Sequence, residues 1–478
     1  MVLTSLILSI PAVQTRLGQY ATKSLNEEFG TNISIDRLSL SLFSLNTDLK
    51  GIYVEDYKKD TLAYIQKLST SILNLGNMAN GSMEFGDIEI DGLVFNLKTY
   101  EGEEDTNLDV FVDKLDDGKP RAPGTPPFFM SSEEIQISEG NFKLIDENLE
   151  VQETLNFSNL EILASDFQIL GPEVSLKIHE LALDSKRGIR LEQLSTDFKY
   201  TKQQMRFDSL NIKTEQSELS GSLVFDYNRE DFSEFLDKVN ITAEFIESTV
   251  ALNDINTFYN EFGTNKVVSF SSKISGFFND LKFEDLFLRS ENTGIRGDFV
   301  FQNLFSNTAP FVLKGDIENL TSSYYQLRSL LPDILGKNIP SSFQKLKQFT
   351  IRGNAEITET SLDVKVNLNT AIGSSYTDLQ MTNIQTIDDA SYIGFISLID
   401  FDLGTFIEDE QLGLASMDVN VEGKGFIAEY LNTEVIGEVY KLEFNGYEYN
   451  GLKVSGILKE ELFDGSLVSS DENFKFEF

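Results

Sequence analysis

The sequence contains no cysteine and no tryptophan, one histidine, and only nine prolines in 478 residues. Without cysteine there is no disulfide framework and no thiolate metal site. One histidine and no thiol remove most of the nucleophile–base pairs on which covalent catalysis relies. No G-x-S-x-G, P-loop or H-E-x-x-H motif occurs, and no segment spells an EF-hand loop. The reading is of a non-enzyme that needs no cofactor. His179, in VSLKIHELAL, faces away from Leu176 and Ile178 in a strand-like alternation and reads as a surface residue. Asp116-Asp117 and Asp388-Asp389 read as solvated loop carboxylates, and GKGF at Gly423–Phe426 as a turn between strands.

Basic residues are also few. There are 39 Lys and Arg against 77 Asp and Glu, a net charge of -38. Such a chain repels nucleic acid and anionic headgroups at long range, which sets aside a nucleic-acid partner. The acids are spread along the chain, as on a solvated outer face. A hydrophobic content of 41% excludes a disordered chain. At about 100–200 residues per domain, the length allows several domains or one elongated, repetitive one.

Long hydrophobic runs are missing too. Residues 2–10, VLTSLILSI, carry Val2, Leu3, Leu6, Ile7, Leu8 and Ile10 before Pro11. Crossing a bilayer takes about 20 apolar residues, and the run has neither a basic leader nor an A-x-A cleavage site. It could open a buried helix; residues 1–10 are read instead as part of a membrane anchor. Residues 11–30 then read as an amphipathic helix, with Val13, Leu17, Tyr20, Ala21, Leu25 and Phe29 at spacings of three and four before Gly30. That apolar face is expected to lie against the first strands.

From residue 31 the period becomes two. ISIDRLSLSL alternates with a slip at Asp36-Arg37, the mark of a bulge or turn. GDIEIDGLVFNLKTY breaks at Asp91-Gly92, which predicts a hairpin turn. SLDVKVNLNT is the cleanest strand, with Leu362, Val364, Val366 and Leu368 on one side. In GSLVFDY, GDFVFQN and GSLVSSD a glycine is read as opening a strand. Short helices are expected within 231–239, 251–263 and 322–337, the last broken at Pro332. LDDGKPRAPGTPP, residues 115–127, holds four of the nine prolines and reads as a loop between a β-segment at 31–114 and a repetitive β-region at 128–478. A sheet with one apolar face must cover it, as a sandwich, a closed barrel, or a partly curled trough filled by something else. More than twenty strands at about 4.8 Å each would make a sheet on the order of 100 Å long, if continuous.

Several segments carry a resemblance. SIPAVQTRLGQYATKSLNEEFGTNISIDRLSLSLF, GIYVEDYKKDTLAYIQKLSTSILNL and FGDIEIDGLVFNLKTYEGEEDTNLDVFVDKL are similar to the start of AsmA-like proteins, most of all their translocation and assembly module (TamB) branch. FDLGTFIEDEQLGLASMDVNVEGKGF and GDIENLTSSYYQLRSLLPDILGKNIPSSFQKLKQFTIRGN resemble later segments of that family, and the final NGYEYNGLKVSGILKEELFDGSLVSSDENFKFEF resembles its strand–turn–strand units. The resemblance implies a mostly β fold: an elongated, curled antiparallel sheet forming an open groove, with an N-terminal helix and a few short helices interrupting it. It implies the N-terminal portion of a longer protein, anchored in the inner membrane and mostly periplasmic. The implied function is a passive conduit for phospholipid between inner and outer membranes. The alternative is a scaffold for outer-membrane β-barrel assembly or secretion with an Omp85-type barrel partner; an extracellular adhesin is a third option. Under the groove reading Phe95, Leu97, Phe142, Leu144, Leu362, Val364, Val366, Leu442, Phe444, Phe474, Phe476 and Phe478 line the inner face. Without it, the same residues read as plain sandwich core.

Overall fold

The computed structural model describes residues 10–478 apart from 42–44, 74–81, 116–126, 229–230, 232–233, 258–261, 307, 333–338, 461, 471–474, 476 and 478. The chain divides into two compact units, Met1–Ser233 and Glu234–Phe478. Each is a curled, unclosed sheet in which sequential strands pair in chain order.

The first unit opens with helix α1, Pro11–Phe29, which starts with proline and ends at the left-handed Gly30. Its strands are β1 Asn32–Leu40, β2 Asn46–Glu55, β3 Thr61–Ile72, β4 Ser82–Thr99, β5 Phe129–Asp146, β6 Glu153–Leu170, β7 Glu173–Ser185, β8 Arg190–Tyr200, β9 Gln204–Thr214 and β10 Glu218–Asp226. All neighbours are antiparallel except β4 and β5, which are parallel. A parallel pair needs a crossover of a dozen or more residues. The connection from 100 to 128 supplies it, with helix α2, Asn107–Leu115, and the proline-rich stretch. Thr106 and Asp109 cap α2 reciprocally: each backbone N–H donates to the other's side chain.

The second unit holds β11 Asn240–Ala251, β12 Val267–Phe277, β13 Asp280–Ser290, β14 Thr293–Gln302, β15 Val312–Ser323, β16 Gln348–Thr358, β17 Ser361–Thr370, β18 Gly373–Thr382, β19 Ser391–Asp402, β20 Leu412–Lys424, β21 Asn432–Phe444, β22 Tyr447–Lys459 and β23 Leu462–Ser469, all paired antiparallel. Short helices interrupt it: α3 Phe235–Lys238, α4 Leu252–Asn256, α5 Tyr324–Leu330 and α6 Leu403–Ile407. Helix α5 stops just before Leu331-Pro332, as expected.

Curling has a local cause. Many strands carry one bulge near the middle, and the alternation changes phase there. On β13 the inward residues run Leu281, Phe283, then Leu286, Leu288, and Glu284-Asp285 absorbs the step. On β9 they run Met205, Phe207, then Leu210, Ile212 around Asp208-Ser209. A bulge bends its strand and increases local twist. Two polar side chains then face solvent side by side, while both arms keep their apolar side inward.

A phase change without a shift of register accounts for one miss. Asp91-Gly92 does not turn a hairpin; β4 runs straight through it as an 18-residue strand. Lys67 pairs with Asp91 and Ile65 with Leu93, so Gly92 faces Gln66 at φ +69 inside the sheet. The Asp36-Arg37 slip is the same feature on β1, opposite Gly51. The glycines of GSLVFDY, GDFVFQN and GSLVSSD do not open strands either. They sit inside β10, β14 and β23. At Gly297 a Cβ would come 2.1 Å from the Asp316 carbonyl oxygen, so the close approach of β15 requires glycine.

Helix α1 also corrects an expectation. Of its apolar side only Val13 and Phe29 are half-buried, and the rest is turned away from the strands. The buried positions are Gln14, Gly18 and Thr22, while Leu17, Tyr20 and Leu25 are exposed. Gln14 Nε2 donates to the Leu40 carbonyl at 2.6 Å, and the Leu40 N–H donates to Gln14 Oε1 at 2.9 Å. Asn26 exchanges two 2.8 Å bonds with Ile33, and Thr15 two of 3.2 Å with Leu38. These side chains stand in for a neighbouring strand and cap the edge of β1.

Candidate functional site

In the first unit the inner face is built from rows of side chains across neighbouring strands. Phe95 on β4 is in register with Phe142 on β5, and Phe142 with Phe157 on β6. Their rings stack at 5.9 Å and 6.0 Å, with interplanar angles of 23° and 24°. Leu97, Leu144 and Leu155 form the adjacent row. Phe198, Phe207 and Phe225 continue the theme on β8–β10, at 5.0 Å and 6.3 Å. All these residues are half-buried. Among the described residues, no cluster of fully buried apolar side chains lies in this unit.

Inward hydroxyls are engaged by the backbone. Thr196 Oγ1 donates to the Asp208 carbonyl at 2.8 Å, beside the β9 bulge. Ser132 Oγ donates to the Gly86 carbonyl at 2.6 Å. Charge stays on the outer face and at the turns, in exposed pairs such as Lys186–Glu153 and Lys213–Glu192. His179 is exposed and hydrogen-bonded to Ser165 at 2.8 Å. No group of three or more potential metal ligands occurs among the described residues.

The second unit covers part of its own inner face. A 3-10 segment at Ile384–Asp389 inserts Ile384 and Ile387 against Leu379, Met381, Val419 and Val421. A second, at Ser341–Leu346, buries Leu346 with Leu327, Phe349, Ile372 and Phe401. The two segments meet: the Ser341 N–H and Oγ donate to Asp388 Oδ1 at 3.0 and 2.9 Å. Lys345 Nζ reaches the Phe406 carbonyl at 3.1 Å and pairs with Glu408. This makes a roof over β16–β20. Asp388 and Asp389 are therefore half-buried structural groups, the latter paired with Lys424 at 2.9 Å, and not a solvated loop pair. The GKGF stretch turns at Gly425 (φ +91), and Phe426 packs into the roofed cluster.

The expected lining residues thus fall into separate settings. Phe95, Leu97, Phe142 and Leu144 are brought together, half-buried, on a face with no buried cluster over it among the described residues. Leu362 and Val364 pack against the roofed cluster, with half-buried Val366 further along β17. Leu442 and Phe444 are half-buried on β21, in register with Ala415 and Leu412. Phe474, Phe476 and Phe478 lie outside the described residues; beside them, Glu477 bridges Val468. Val2, Leu3, Leu6, Ile7 and Leu8 are outside them as well, and Ile10 is exposed at the start of α1. Among the described residues no helix is long and apolar enough to cross a membrane. Sequence reasoning missed Phe157, the roof and the edge cap. The paired polar residues at each phase change were the readable signal for the bulges.

Fold and lining together define a class: a β-sheet protein whose two units are each an open, curled sheet with an apolar inner face. A scan against protein-family models finds no match to the chain, and a search of the curated proteins finds none either.

Proposed function

We propose that the trough holds lipid acyl chains and that the protein is a passive phospholipid conduit of the cell envelope, anchored in the inner membrane, as its resemblance to AsmA-like proteins of the TamB branch implies. The observation that carries this reading is the half-buried Phe95–Phe142–Phe157 ladder, an apolar surface with no buried cluster over it and no converging polar groups among the described residues. Each buried CH₂ contributes about 0.8 kcal/mol, so two tails are held firmly. A lining without fixed polar contacts holds them at no single position, which permits sliding. Headgroups stay in water at the open seam.

The scaffold reading, with an Omp85-type barrel partner, needs a free strand edge for β-augmentation. At β1 that edge is engaged by Gln14, Thr15 and Asn26, so the scaffold reading falls to the outer edge of β23 instead.

The test is mass spectrometry of lipid co-purified with the wild-type chain and with Phe142→Asp. Phospholipid with the wild type and a several-fold loss in the variant, at unchanged folding, is the expected result. A lipid-free wild-type chain, or a variant that retains its lipid, would sink the conduit.

A further inference from the structure

We propose that the roof over β16–β20 is a lid. The segments Ser341–Leu346 and Ile384–Asp389 occupy the inner face in place of an acyl chain, latched through Ser341 and Asp388, and lift to admit one. The inference rests on the conduit reading above and deepens it, by making lipid occupancy of the second unit conditional on an opening step.

Three observations carry it. The first is that the sheet beneath is complete without the roof. Strands β16 to β19 pair in unbroken register. The roof segments lie in the connections from β15 to β16 and from β18 to β19, and they add no rung to the ladder. Lifting them breaks no strand pairing. The face they cover is apolar, with Leu362, Val364, Leu379 and Val421. What they lay on it, through Ile384 and Ile387, is aliphatic as well. An acyl chain offers the same kind of surface, so roof and lipid compete for one site on equal chemical terms.

The second observation is that the closed roof carries local costs. Lys347, where the first segment returns to β16, has φ 59 and ψ -114, a backbone conformation that strains any residue with a side chain. Ser342, next to the latch, is 5% exposed, and its Oγ has no hydrogen-bond partner among the described residues. Both costs fall on the same short segment, and both are relieved when it lifts into water.

The third is the latch. One carboxylate oxygen joins the two segments: Asp388 Oδ1 accepts from the Ser341 N–H at 3.0 Å and from its Oγ at 2.9 Å. The Asp388 carbonyl in turn accepts from the Phe426 N–H at 2.9 Å. A cover held by a few polar ties over a non-directional apolar contact belongs to the parts of a fold that open locally. A ligand that binds only the opened face shifts the lid by its preference for that state. Without lipid, the closed roof keeps the face of β16–β20 out of water.

The chain has no cysteine, so Ser341→Cys with Asp388→Cys places a single thiol pair at the latch. Unbridged, the full-length variant has lost the latch; bridged by dibromobimane, it is held closed. Both forms and the wild type are mixed with phosphatidylethanolamine vesicles containing a phosphatidylethanolamine with an acyl-chain diazirine. After irradiation the labelled peptides are mapped. The expected label on β17–β18 is several-fold higher in the unbridged form than in the bridged one, with the wild type between, and label on β4–β6 is equal in all three. Equal label on β17–β18 in the two forms, whether high or absent, overturns the lid, while label on β4–β6 still upholds the conduit. Label on neither overturns both. Hydrogen exchange reads the lid without lipid. The amides of Phe343, Thr386 and Ala390, bonded only within the roof, should exchange ahead of the β17 ladder. Lys347→Gly, which relieves the strain and leaves the latch intact, should slow them several-fold. Exchange of these amides at the rate of the β17 ladder overturns the inference.

Discussion

At the residue scale, the same chemistry has different consequences in the two units. Phe142 is half-buried in an uncovered row, so Phe142→Asp leaves its carboxylate in reach of water and costs little stability. Val364 packs against a fully buried cluster, so Val364→Asp destabilises by about 3 kcal/mol or more. Thermal melts of the two variants should separate them, and equal losses would contradict the contrast between open and roofed faces. A second residue-scale site is the β2–β3 turn. Asp56, 6% exposed, accepts from the Tyr100 hydroxyl at 2.6 Å, from Asn107 Nδ2 at 3.2 Å, and from the backbone N–H groups of Lys58 and Asp60. Asp56→Ala strands these donors and should cost about 3 kcal/mol by denaturant titration. Around it, the hydrogen bond from Lys98, then that from Tyr100, holds the Asp60 carboxyl below its ordinary value. Glu147 is held low first by Lys98 and Glu103 first by Lys58. Carboxyls depressed in the folded state stabilise it above their unfolded pKa and lose that effect as pH falls through the folded one. The turn is therefore fully held at neutral pH and loosens below the ordinary carboxyl values of 3.8 and 4.5. Hydrogen exchange at residues 56–60 and 98–107 should rise selectively in acid, once corrected for the intrinsic rate.

At the element scale, the edge cap and the bulges do most of the shaping. Gln14 and Asn26 each give β1 a donor and an acceptor, so Gln14→Leu with Asn26→Leu should expose a bare strand edge. Light scattering should then show concentration-dependent association absent from the wild type, and a monodisperse variant would argue that the cap is dispensable. The strand count and the β period were legible because alternation is local. The phase changes were half legible: Asp36-Arg37 was read as a bulge or turn, and β1 runs through it in unbroken register with β2, whereas Asp91-Gly92 was taken for a hairpin. A phase change looks alike whether the chain reverses or only bends, and pairing with β3 decides between them. The inverted face of α1 was not legible, because helical spacing shows that a stripe exists and not which neighbour claims the other side.

At the scale of the whole molecule, the three clusters of buried apolar residues found among the described residues all belong to the second unit. The first unit carries its half-buried phenylalanine rows without such a cover among the described residues. An occupant of those rows stabilises the folded state by mass action. Delipidated protein should therefore lose hydrogen-exchange protection in β4–β6 while β16–β20, under the roof, stay nearly unchanged. Uniform loss across both units would count against a lipid held in the first.

The sequence by itself determined the strands, their two-faced character and the acidic composition, because each follows from residue type and local spacing. Which apolar face stays open was decided only in the tertiary structure. Phe142 and Val364 occupy equivalent places in their alternations. What separates them is whether residues some twenty positions away along the chain, such as Ile384 and Ile387, fold back over the strand. Covering a face is a long-range event, set by pairing and packing that no local pattern records.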